Sequence, residues 1–302
     1  MSKILITGGS GNVGRSIESV NGIDIVRVST KDADLTDKAA VKHLLTSINP
    51  DSIIHLAALS GGRQLSSKRP ADLLLNNSIM ASNLLSEAQK MGIMRIGLAL
   101  SGACYASVSS RLAKESEFHD AAILEDDYSY AYSKRYLEVA MRAFNSQFGM
   151  NIYSFVINGV IGLEMNYSPE KALMIPSLIQ KISSARDHKD PIEVWGDGSP
   201  KRQYTWSQDI VRNIFWCHEN QPSSTILNIG TNEVVTVAEC AILICQNFGI
   251  DASRLNFDIS KGNGKATQLT DNANFIRLSG FRYENFHSSI EKICYRYKQV
   301  FA

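Results

Sequence analysis

The sequence lacks both a long hydrophobic run and a concentration of charge of one sign. No apolar stretch reaches the roughly 18 residues that indicate a membrane-spanning helix. The 302 residues carry a formal net charge of +1, and basic residues occur in runs no longer than pairs such as Lys201-Arg202. These absences argue against a protein that crosses a membrane and against a nucleic-acid partner bound through a basic surface.

Cysteine is scarce and follows no recognisable pattern. The five cysteines, at positions 104, 217, 240, 245 and 294, are an odd number at no spacing typical of a metal site. Cys240 and Cys245 fall in one apolar helical pattern, where we expect small buried hydrophobic residues. Because the sequence starts directly with a strand pattern and not with a leader, we predict a cytoplasmic protein without disulfides or a metal.

Hydrophobic residues make up 44% of the chain, which is enough for a large core. In the first half, short apolar strands alternate with amphipathic helices, as in α/β proteins whose parallel sheet is covered on both faces. We predict strands at 3–7, 23–28, 52–57, 96–100 and 152–160, and helices from the glycine run onward, at 38–47, 73–91 and 130–147. This pattern indicates a Rossmann-type doubly wound sheet that binds ligands beyond the carboxyl ends of its strands.

The alternation loosens after residue 160. We predict helices at 175–184, 207–219 and 236–248, and strands at 191–195 and 226–229, with no repeat or low-complexity linker. Residues 1–160 are therefore expected to form mainly a nucleotide-binding domain. Residues 161–302 are expected to form mainly a smaller substrate-binding cap, parts of which return to the first domain.

A glycine-rich run at residues 8–15 follows the first strand directly. In a dinucleotide site, Gly8 would make the tight turn, Gly11 would let the backbone approach the pyrophosphate, and Gly14 would let helix and strand pack closely. Asn12 and Val13 at the start of the helix would then lie beside the phosphates. The alternative is a glycine-rich turn that binds no ligand.

The residues that end the second strand bear on the choice between NAD and NADP. An acidic residue here would bind the ribose 2′-hydroxyl of NAD, but the sequence is VRVSTK at 26–31. The Ser29 hydroxyl and the cations of Arg27 and Lys31 suit a 2′-phosphate. We therefore predict NADP(H), the alternative being two solvated surface cations.

A Tyr-x-x-x-Lys pair and a serine carry the predicted chemistry. Tyr130 and Lys134 lie four residues apart and so share one face of a helix. A lysine ammonium near a phenol is expected to lower the tyrosine pKa, so that Tyr130 could exchange a proton with a carbonyl oxygen during hydride transfer. Ser101, at the end of a predicted strand, could donate a hydrogen bond to the same oxygen.

With these residues in place, the chain resembles the extended short-chain dehydrogenases/reductases, and among them the GDP-L-fucose synthase group. The resemblance covers nearly the whole chain and rests on VSTKDADLTD at 28–37, HLAA at 55–58, YSYAYSKR at 128–135 and VWGDGSPKRQ at 194–203. It implies a cofactor site that also contains Asp34, Leu35, Ala57, Ala58 and Asn77. It further implies a substrate site with Ser101, Asn158, Lys181, Trp195 and Arg202, although Arg202 could equally be a surface cation.

Two positions depart from that resemblance. The group epimerises C3 and C5 of a 4-keto sugar with a Cys and a His before it reduces C4. The Cys position holds Ala103, and the His position holds Leu173. Cys104 could substitute only if its loop were rearranged, since a one-residue offset on an extended segment points a side chain the other way. Among the histidines, His119 is a remote replacement candidate, and His188 lies beyond the cap helix.

We therefore predict an NADP(H)-dependent reductase that acts at C4 of a GDP-linked sugar of the deoxy-hexose or heptose type, without epimerisation. Tyr130 would be the general acid, and Lys134 would lower its pKa and hold the ribose. Two competing hypotheses are a bifunctional epimerase/reductase and a non-catalytic sugar-nucleotide binder. The resemblance also implies a homodimer formed through the helices at 73–91 and 130–147, although the core of a monomer would use the same apolar residues.

Overall fold

The computed structural model describes residues 2–19, 22–61, 63–105, 111–120, 122–123, 127–168, 172–186, 189–263 and 269–301. Its strands are β1 (Ser2–Thr7), β2 (Ile23–Val28), β3 (Ser52–His55), β4 (Arg95–Ser101), β5 (Asn151–Ile157), β6 (Val160–Ile161), β7 (Ile192–Trp195), β8 (Lys201–Arg202), β9 (Thr205–Trp206), β10 (Ile226–Ile229), β11 (Val235–Thr236) and β12 (Leu255–Asp258). Its α-helices are α1 (Asn12–Arg15), α2 (Lys38–Ile48), α3 (Arg63–Lys68), α4 (Pro70–Lys90), α5 (Tyr128–Phe148), α6 (Met174–Ser184), α7 (Ser207–Asn220), α8 (Val237–Phe248), α9 (Ala273–Ser279) and α10 (Phe286–Phe301).

Six strands form one parallel sheet, here called the main sheet, in the order β10-β5-β4-β3-β1-β2. The topological switch point of the sheet is at β1, because β2 pairs with one edge of this strand and β3 with the other. Thr7 at the end of β1 is paired with Val28 of β2 and with His55 of β3. The crevice for a ligand therefore opens beyond Thr7 and His55. The predicted doubly wound α/β fold is confirmed.

Apolar residues on both faces of the strands explain why the main sheet is buried. Successive side chains of a strand point to opposite faces, so alternate residues join different clusters. Leu5 and Ile53 pack with residues of α2, α4 and α5, whereas Ile4 and Ile54 pack with residues of α7 on the other side. The continuous apolar runs in the sequence therefore reflect a sheet with helices on both faces.

Local capping groups account for the ends of several helices. The Asp37 carboxylate accepts a hydrogen bond from the Ala39 N–H at the start of α2. Thr236 and Glu239 form a reciprocal capping box at the start of α8. Both α5 and α8 end at a glycine with positive φ, Gly149 and Gly249. The predicted helices at 38–47, 73–91, 130–147, 175–184, 207–219 and 236–248 are confirmed to within three residues at each end.

The helix that follows the glycine run is much shorter than the fold class suggests. It begins at Asn12 and ends at Arg15, one turn later. Only seven residues separate α1 from β2, and the Ile17 side chain turns into the core. The Arg27 guanidinium donates to the Ile17 carbonyl oxygen (3.0 Å) and so satisfies the backbone beyond this turn. A helix of one turn has a small macrodipole, so phosphate binding here would depend on individual backbone N–H groups.

The predicted strand at 152–160 is two strands, because the chain leaves the main sheet at residue 157. Gly159 has a φ of 48°, and its carbonyl oxygen accepts a hydrogen bond from the Thr205 N–H (2.7 Å). Val160 and Ile161 then pair with β9 instead of continuing β5. This break carries the chain from the main sheet into the cap.

The cap is built around α6, α8 and α10, which share one buried apolar cluster. Its strands form two-stranded sheets, β12 with β7 and β11 with β8. Two segments of the second half return to the main sheet, since β10 is its edge strand and α7 packs against it. In the described part of the chain, no helix is long and apolar enough to cross a membrane, and no cluster of three or more His, Cys, Asp or Glu side chains could hold a metal.

Candidate active site

The glycine turn after β1 is packed so closely that side chains would not fit. Gly8 has a φ of 77°, and a Cβ there would lie 2.7 Å from the Ala57 nitrogen. A Cβ on Gly14 would overlap the Gly8 carbonyl oxygen, whereas one on Gly11 would lie 3.3 Å from that oxygen. The first glycine therefore makes the turn and the third lets α1 pack on it, as the motif predicts.

Two buried side chains that the sequence did not single out join the ends of β1 and β3. Thr7 Oγ1 and His55 Nδ1 are 2.8 Å apart, and Thr7 Oγ1 also accepts a hydrogen bond from the Ala57 N–H (3.2 Å). Burial lowers the pKa of His55 to about 3, so its ring is neutral at physiological pH. Thr7 and His55 therefore hold the backbone at Ala57 and Ala58 beside the glycine turn.

Asn77 fixes the loop that follows β3. Its Oδ1 accepts a hydrogen bond from the Leu59 N–H (2.7 Å), and its Nδ2 donates to the carbonyl oxygens of Leu59 (3.0 Å) and Leu73 (2.8 Å). The side chain is buried on α4. Asn77 therefore supports the predicted cofactor site indirectly, because it anchors the loop that lines the crevice.

The turn after β2 contains the residues predicted to bind the adenosine end of the cofactor. The Ser29 N–H and hydroxyl both donate to the Asp32 carboxylate (2.7 and 2.9 Å), and these contacts hold the pKa of Asp32 below its usual value. Lys31 is exposed in the same turn, whereas Arg27 is bonded to the backbone after α1. Both predicted cations are exposed, but the Arg27 guanidinium is already bonded to the Ile17 carbonyl oxygen.

The following loop holds Asp34 and Leu35. Asp34 Oδ1 accepts hydrogen bonds from the Thr36 N–H (2.9 Å) and hydroxyl (2.7 Å), while the Leu35 side chain is buried. Asn83 on α4 donates to the Leu35 carbonyl oxygen (3.0 Å) and so fixes this loop against the helix. The two residues that would border an adenine are thus held by their own turn and by α4.

Ser101, Tyr130 and Lys134 meet at the carboxyl end of β4. Ser101 is the last residue of that strand, and its hydroxyl lies near enough to Tyr130 on α5 to influence the pKa of the tyrosine. Lys134 is buried, and its Nζ donates to the Ala99 carbonyl oxygen (2.9 Å) and lies 5.8 Å from the centre of the Tyr130 ring. The structure therefore brings the three predicted catalytic side chains together.

The predicted lowering of the Tyr130 pKa is wrong for this arrangement. Burial raises the pKa of Tyr130 above its usual value, and the nearby Ser101 hydroxyl offsets this effect only in part. Burial also lowers the pKa of Lys134 to about 8. Burial is the dominant effect on both pKa values, so Tyr130 is a protonated phenol at neutral pH, as a proton donor must be.

Cys104 is placed where it cannot act as a base. Its side chain is 0% exposed, and its Sγ donates to the Ala131 carbonyl oxygen (3.5 Å) on α5. Burial raises the pKa of the thiol to about 12. Ala103 is partly exposed in the short 3₁₀ turn that follows Ser101. The structure therefore favours Cys104 as a core residue beneath the loop.

The cap places Leu173 opposite the glycine turn. This side chain is 57% exposed at the start of α6 and lines a cavity of about 150 Å³ together with Asn12, Gly159, Met165 and Pro176. His119 is bonded to Glu138 (2.6 Å), and Glu138 lies two helical turns from Tyr130 along α5. His119 is therefore engaged away from the reacting centre, and His188 lies outside the described residues.

The predicted substrate residues occupy three places. The Asn158 carboxamide lies against Gly102, so close that a Cβ on that glycine would be 2.9 Å from Asn158 Oδ1. Lys181 Nζ lies 5.7 Å from the centre of the exposed Trp195 ring, which places both on one surface of the cap. Arg202 is on β8, where its guanidinium donates to the Lys201 carbonyl oxygen (2.7 Å).

A doubly wound sheet, a glycine turn at its switch point and a Ser-Tyr-Lys set define the class of dinucleotide-dependent oxidoreductases. The chain belongs to the NAD dependent epimerase/dehydratase family, whose model matches residues 4–230. This finding confirms the class that the sequence motifs predicted.

Three known proteins show how far the similarity extends. The chain is 30% identical over 288 residues to a probable GDP-L-fucose synthase of Drosophila melanogaster, covering 90% of this chain and 89% of that protein. It is 26% identical to a dTDP-4-dehydro-6-deoxy-D-allose reductase of a Streptomyces species, with 93% and 84% covered. A GDP-L-fucose synthetase of Naegleria fowleri solved with NADP is 25% identical, has a TM-score of 0.88, and covers 99% of this chain and 93% of its own.

Proposed function

We propose that this protein is an NADPH-dependent reductase of C4 in a GDP-linked 4-keto sugar of the deoxy-hexose or heptose type, without C3 or C5 epimerisation. The observation that carries the proposal is the asymmetry of the site. Ser101, Tyr130 and Lys134 are assembled at the end of β4. Ala103 and Leu173, in contrast, cannot take up or give a proton.

The glycine turn supports a dinucleotide cofactor, because close backbone packing at Gly8 and Gly14 leaves a groove without side chains beside the crevice. NADPH, when bound, supplies the hydride that C4 receives. Lys31 in the turn after β2 offers the cation for a 2′-phosphate, and the NADP complex of the Naegleria relative supports the same choice.

The protein's own side chains would complete the reduction at the ketone oxygen. Ser101 would donate a hydrogen bond to this oxygen and so polarise the carbonyl. Tyr130 would give its phenolic proton to the oxygen as negative charge develops there. Lys134 Nζ lies 5.8 Å from the centre of the Tyr130 ring. It would hold the ribose of the cofactor and stabilise the phenolate that forms when Tyr130 gives up its proton.

The nucleotide part of the substrate is proposed from the cap and from the relatives. Trp195 offers an exposed ring for an apolar contact, and Lys181 and Arg202 offer cations for a diphosphate. Relatives that span most of the chain are named for GDP-linked and for dTDP-linked sugars. The relative named for a GDP-linked sugar is the more similar of the two in sequence. We therefore assign the guanosine nucleotide to this protein.

A homodimer is part of the proposal. The helices α4 and α5 expose large apolar side chains, among them Leu75, Ile79, Tyr132 and Val139. Burying such a patch against a second copy would stabilise the dimer by about 25 cal/mol for each Å² of apolar surface removed from water. Light scattering of the wild type and of a Leu75→Arg/Val139→Arg variant tests this assignment, and a monomeric wild type would contradict it.

The reductase proposal is tested with GDP-4-keto-6-deoxy-mannose and NADPH in heavy water. We expect oxidation of NADPH and a product reduced at C4, with no deuterium at C3 or C5 because no acid–base pair spans the sugar. Mass spectrometry and NMR of the product report both results in one sample. Deuterium at C3 or C5 would contradict the absence of epimerisation, and failure to reduce this ketone or its heptose analogue would contradict the reductase assignment.

A further inference from the structure

A buried glutamine joins the loop after β5 to the cap. Gln203, which is 3% exposed, follows β8. Its Nε2 donates to the carbonyl oxygens of Thr270 (2.9 Å) and Thr231 (3.3 Å), and its Oε1 accepts from the Thr270 N–H (2.8 Å). Because carbonyls only accept and an N–H only donates, these backbone partners determine which end of the amide is oxygen.

The orientation of Gln203 determines the orientation of Asn158 in turn. Gln203 Oε1 also accepts a hydrogen bond from Asn158 Nδ2 (3.1 Å), so the nitrogen of the Asn158 amide points toward Gln203. The oxygen then lies on the side of Gly102, where a Cβ would be 2.9 Å from Asn158 Oδ1. The neighbouring backbone is held as well, since the Thr205 N–H donates to the Gly159 carbonyl oxygen (2.7 Å).

This arrangement places an acceptor one residue from Ser101, the side chain proposed to bind the ketone oxygen. In a 4-keto pyranose, the carbonyl carbon is bonded to C3, which carries a hydroxyl, and to C5, which carries the ring oxygen and C6. The C3 hydroxyl is thus the hydrogen-bond donor nearest to the reacting carbonyl. An amide oxygen accepts from such a hydroxyl, whereas an amide nitrogen would compete with it as a donor.

We propose that Gln203 is a positioning residue that turns the Asn158 amide oxygen toward the substrate, and that the site thereby selects 4-keto sugars with a free C3 hydroxyl. The inference rests on the proposed reductase function and narrows its substrate class. A site built to bind a hydroxyl discriminates against the analogue that lacks it, because the hydrogen bond from that hydroxyl is then lost.

The experiment compares GDP-4-keto-6-deoxy-mannose with its 3-deoxy analogue. We expect the wild type to favour the hydroxylated ketone by about tenfold or more in kcat/KM. Gln203→Met removes every hydrogen bond that orients Asn158 through this side chain. We expect it to lose most of that preference, through slower turnover of the hydroxylated ketone, while the Kd for NADPH stays within about twofold.

Two further variants separate positioning from loss of stability. Gln203→Glu keeps an oxygen for Asn158 Nδ2 and for the Thr270 N–H, so it should retain more of the preference than Gln203→Met. Asn272→Ala removes donors to the same Thr231 and Thr270 carbonyl oxygens (2.8 and 3.1 Å) without touching Asn158. It should lower the melting temperature yet leave the preference for the C3 hydroxyl unchanged.

The outcomes distinguish this inference from the function on which it rests. Reduction of neither ketone by the wild type overturns both. Equal kcat/KM for the two ketones, or an equal loss with both in Gln203→Met, leaves the reductase assignment intact and overturns the role of Gln203. A changed preference in Asn272→Ala as large as that in Gln203→Met would also overturn it, since the effect would then come from the network as a whole.

Discussion

The two walls of the crevice differ in the groups that can move a proton. The wall formed by the main sheet and α5 holds a serine hydroxyl, a protonated phenol and a buried ammonium within one site. The described cap residues that line the cavity at Leu173 are apolar side chains, the Asn166 amide and the Tyr204 phenol, whose pKa is raised by burial. Reduction needs a proton from one side of the sugar, whereas epimerisation needs groups on both, so the difference between the walls is what the proposal of reduction without epimerisation rests on.

The largest effect should come from removing the proton donor of the sheet wall. In Tyr130→Phe, we expect kcat for the ketone to fall by about 10²- to 10⁴-fold, because the variant lacks the phenolic proton proposed to be transferred to the ketone oxygen. NADPH binding, measured by fluorescence titration, should change little. A variant with unchanged turnover would contradict Tyr130 as the proton donor. A wild type that binds NADPH but has no turnover with any 4-keto sugar nucleotide would favour the non-catalytic binder.

The sheet wall should also destabilise the protein in acid, because it buries a neutral histidine. Burial lowers the pKa of His55 to about 3, and that of His218, at the other end of β3, to about 4, from a usual value near 6.5. Below pH 6.5 the unfolded chain therefore binds more protons than the folded protein, and stability is lost as pH falls.

We expect the free energy of unfolding to decrease by about 2 to 4 kcal/mol between pH 7 and pH 5, as measured by urea denaturation at a series of pH values. His55→Asn should remove about half of this dependence. A flat profile over this range would show that the two rings are not held neutral by burial.

A smaller loss is expected from a methyl group in the glycine turn. In Gly14→Ala, the new Cβ would overlap the Gly8 carbonyl oxygen, so the turn must shift at a cost of about 1 to 3 kcal/mol. If this cost falls on binding, the Kd for NADPH rises by about 5- to 150-fold. Ser10→Ala in the exposed part of the same run is the matched control, and equal affinities in the two variants would argue against a cofactor in this groove.

The smallest effect should be a gain of function on the cap side. Leu173→His combined with Ala103→Cys returns a titratable group to each side of the sugar, at one exposed and one partly exposed position. We expect slow uptake of solvent deuterium at C3 or C5, at least about 100-fold slower than reduction, because neither group has tuned neighbours. Neither single variant should take up deuterium at C3 or C5. Deuterium uptake by the wild type would show that the two walls do not differ in the way proposed.

Much of the site could be predicted because its residues follow strand ends directly in the sequence. Gly8 follows β1, Ser101 ends β4, and Tyr130 and Lys134 lie one helical turn apart. In a parallel sheet, the carboxyl ends of strands meet at one edge, so sequence position alone brings such residues together. Their individual roles in binding and catalysis stay predictions.

Other features depended on contacts between segments that are distant in the sequence. The glycine pattern did not predict how short α1 is, and the contacts beyond its end involve the core around Ile17 and Arg27 of β2. The raised pKa of Tyr130 depends on burial, which the spacing of Tyr130 and Lys134 does not report. Gln203 appeared only as the last letter of a motif, although its partners Asn158 and Thr270 are 45 and 67 residues away.

The sequence by itself determined the fold class, the cofactor turn and the replacement of two titratable residues by Ala103 and Leu173, because each of these follows from residue type and local spacing. Only the tertiary structure decided that Cys104 is buried against α5, that Tyr130 stays protonated and that the Asn158 amide nitrogen is bonded to Gln203. These three properties depend on desolvation and on hydrogen bonds between remote segments. Desolvation and long-range hydrogen bonds are not encoded in a local pattern of residues.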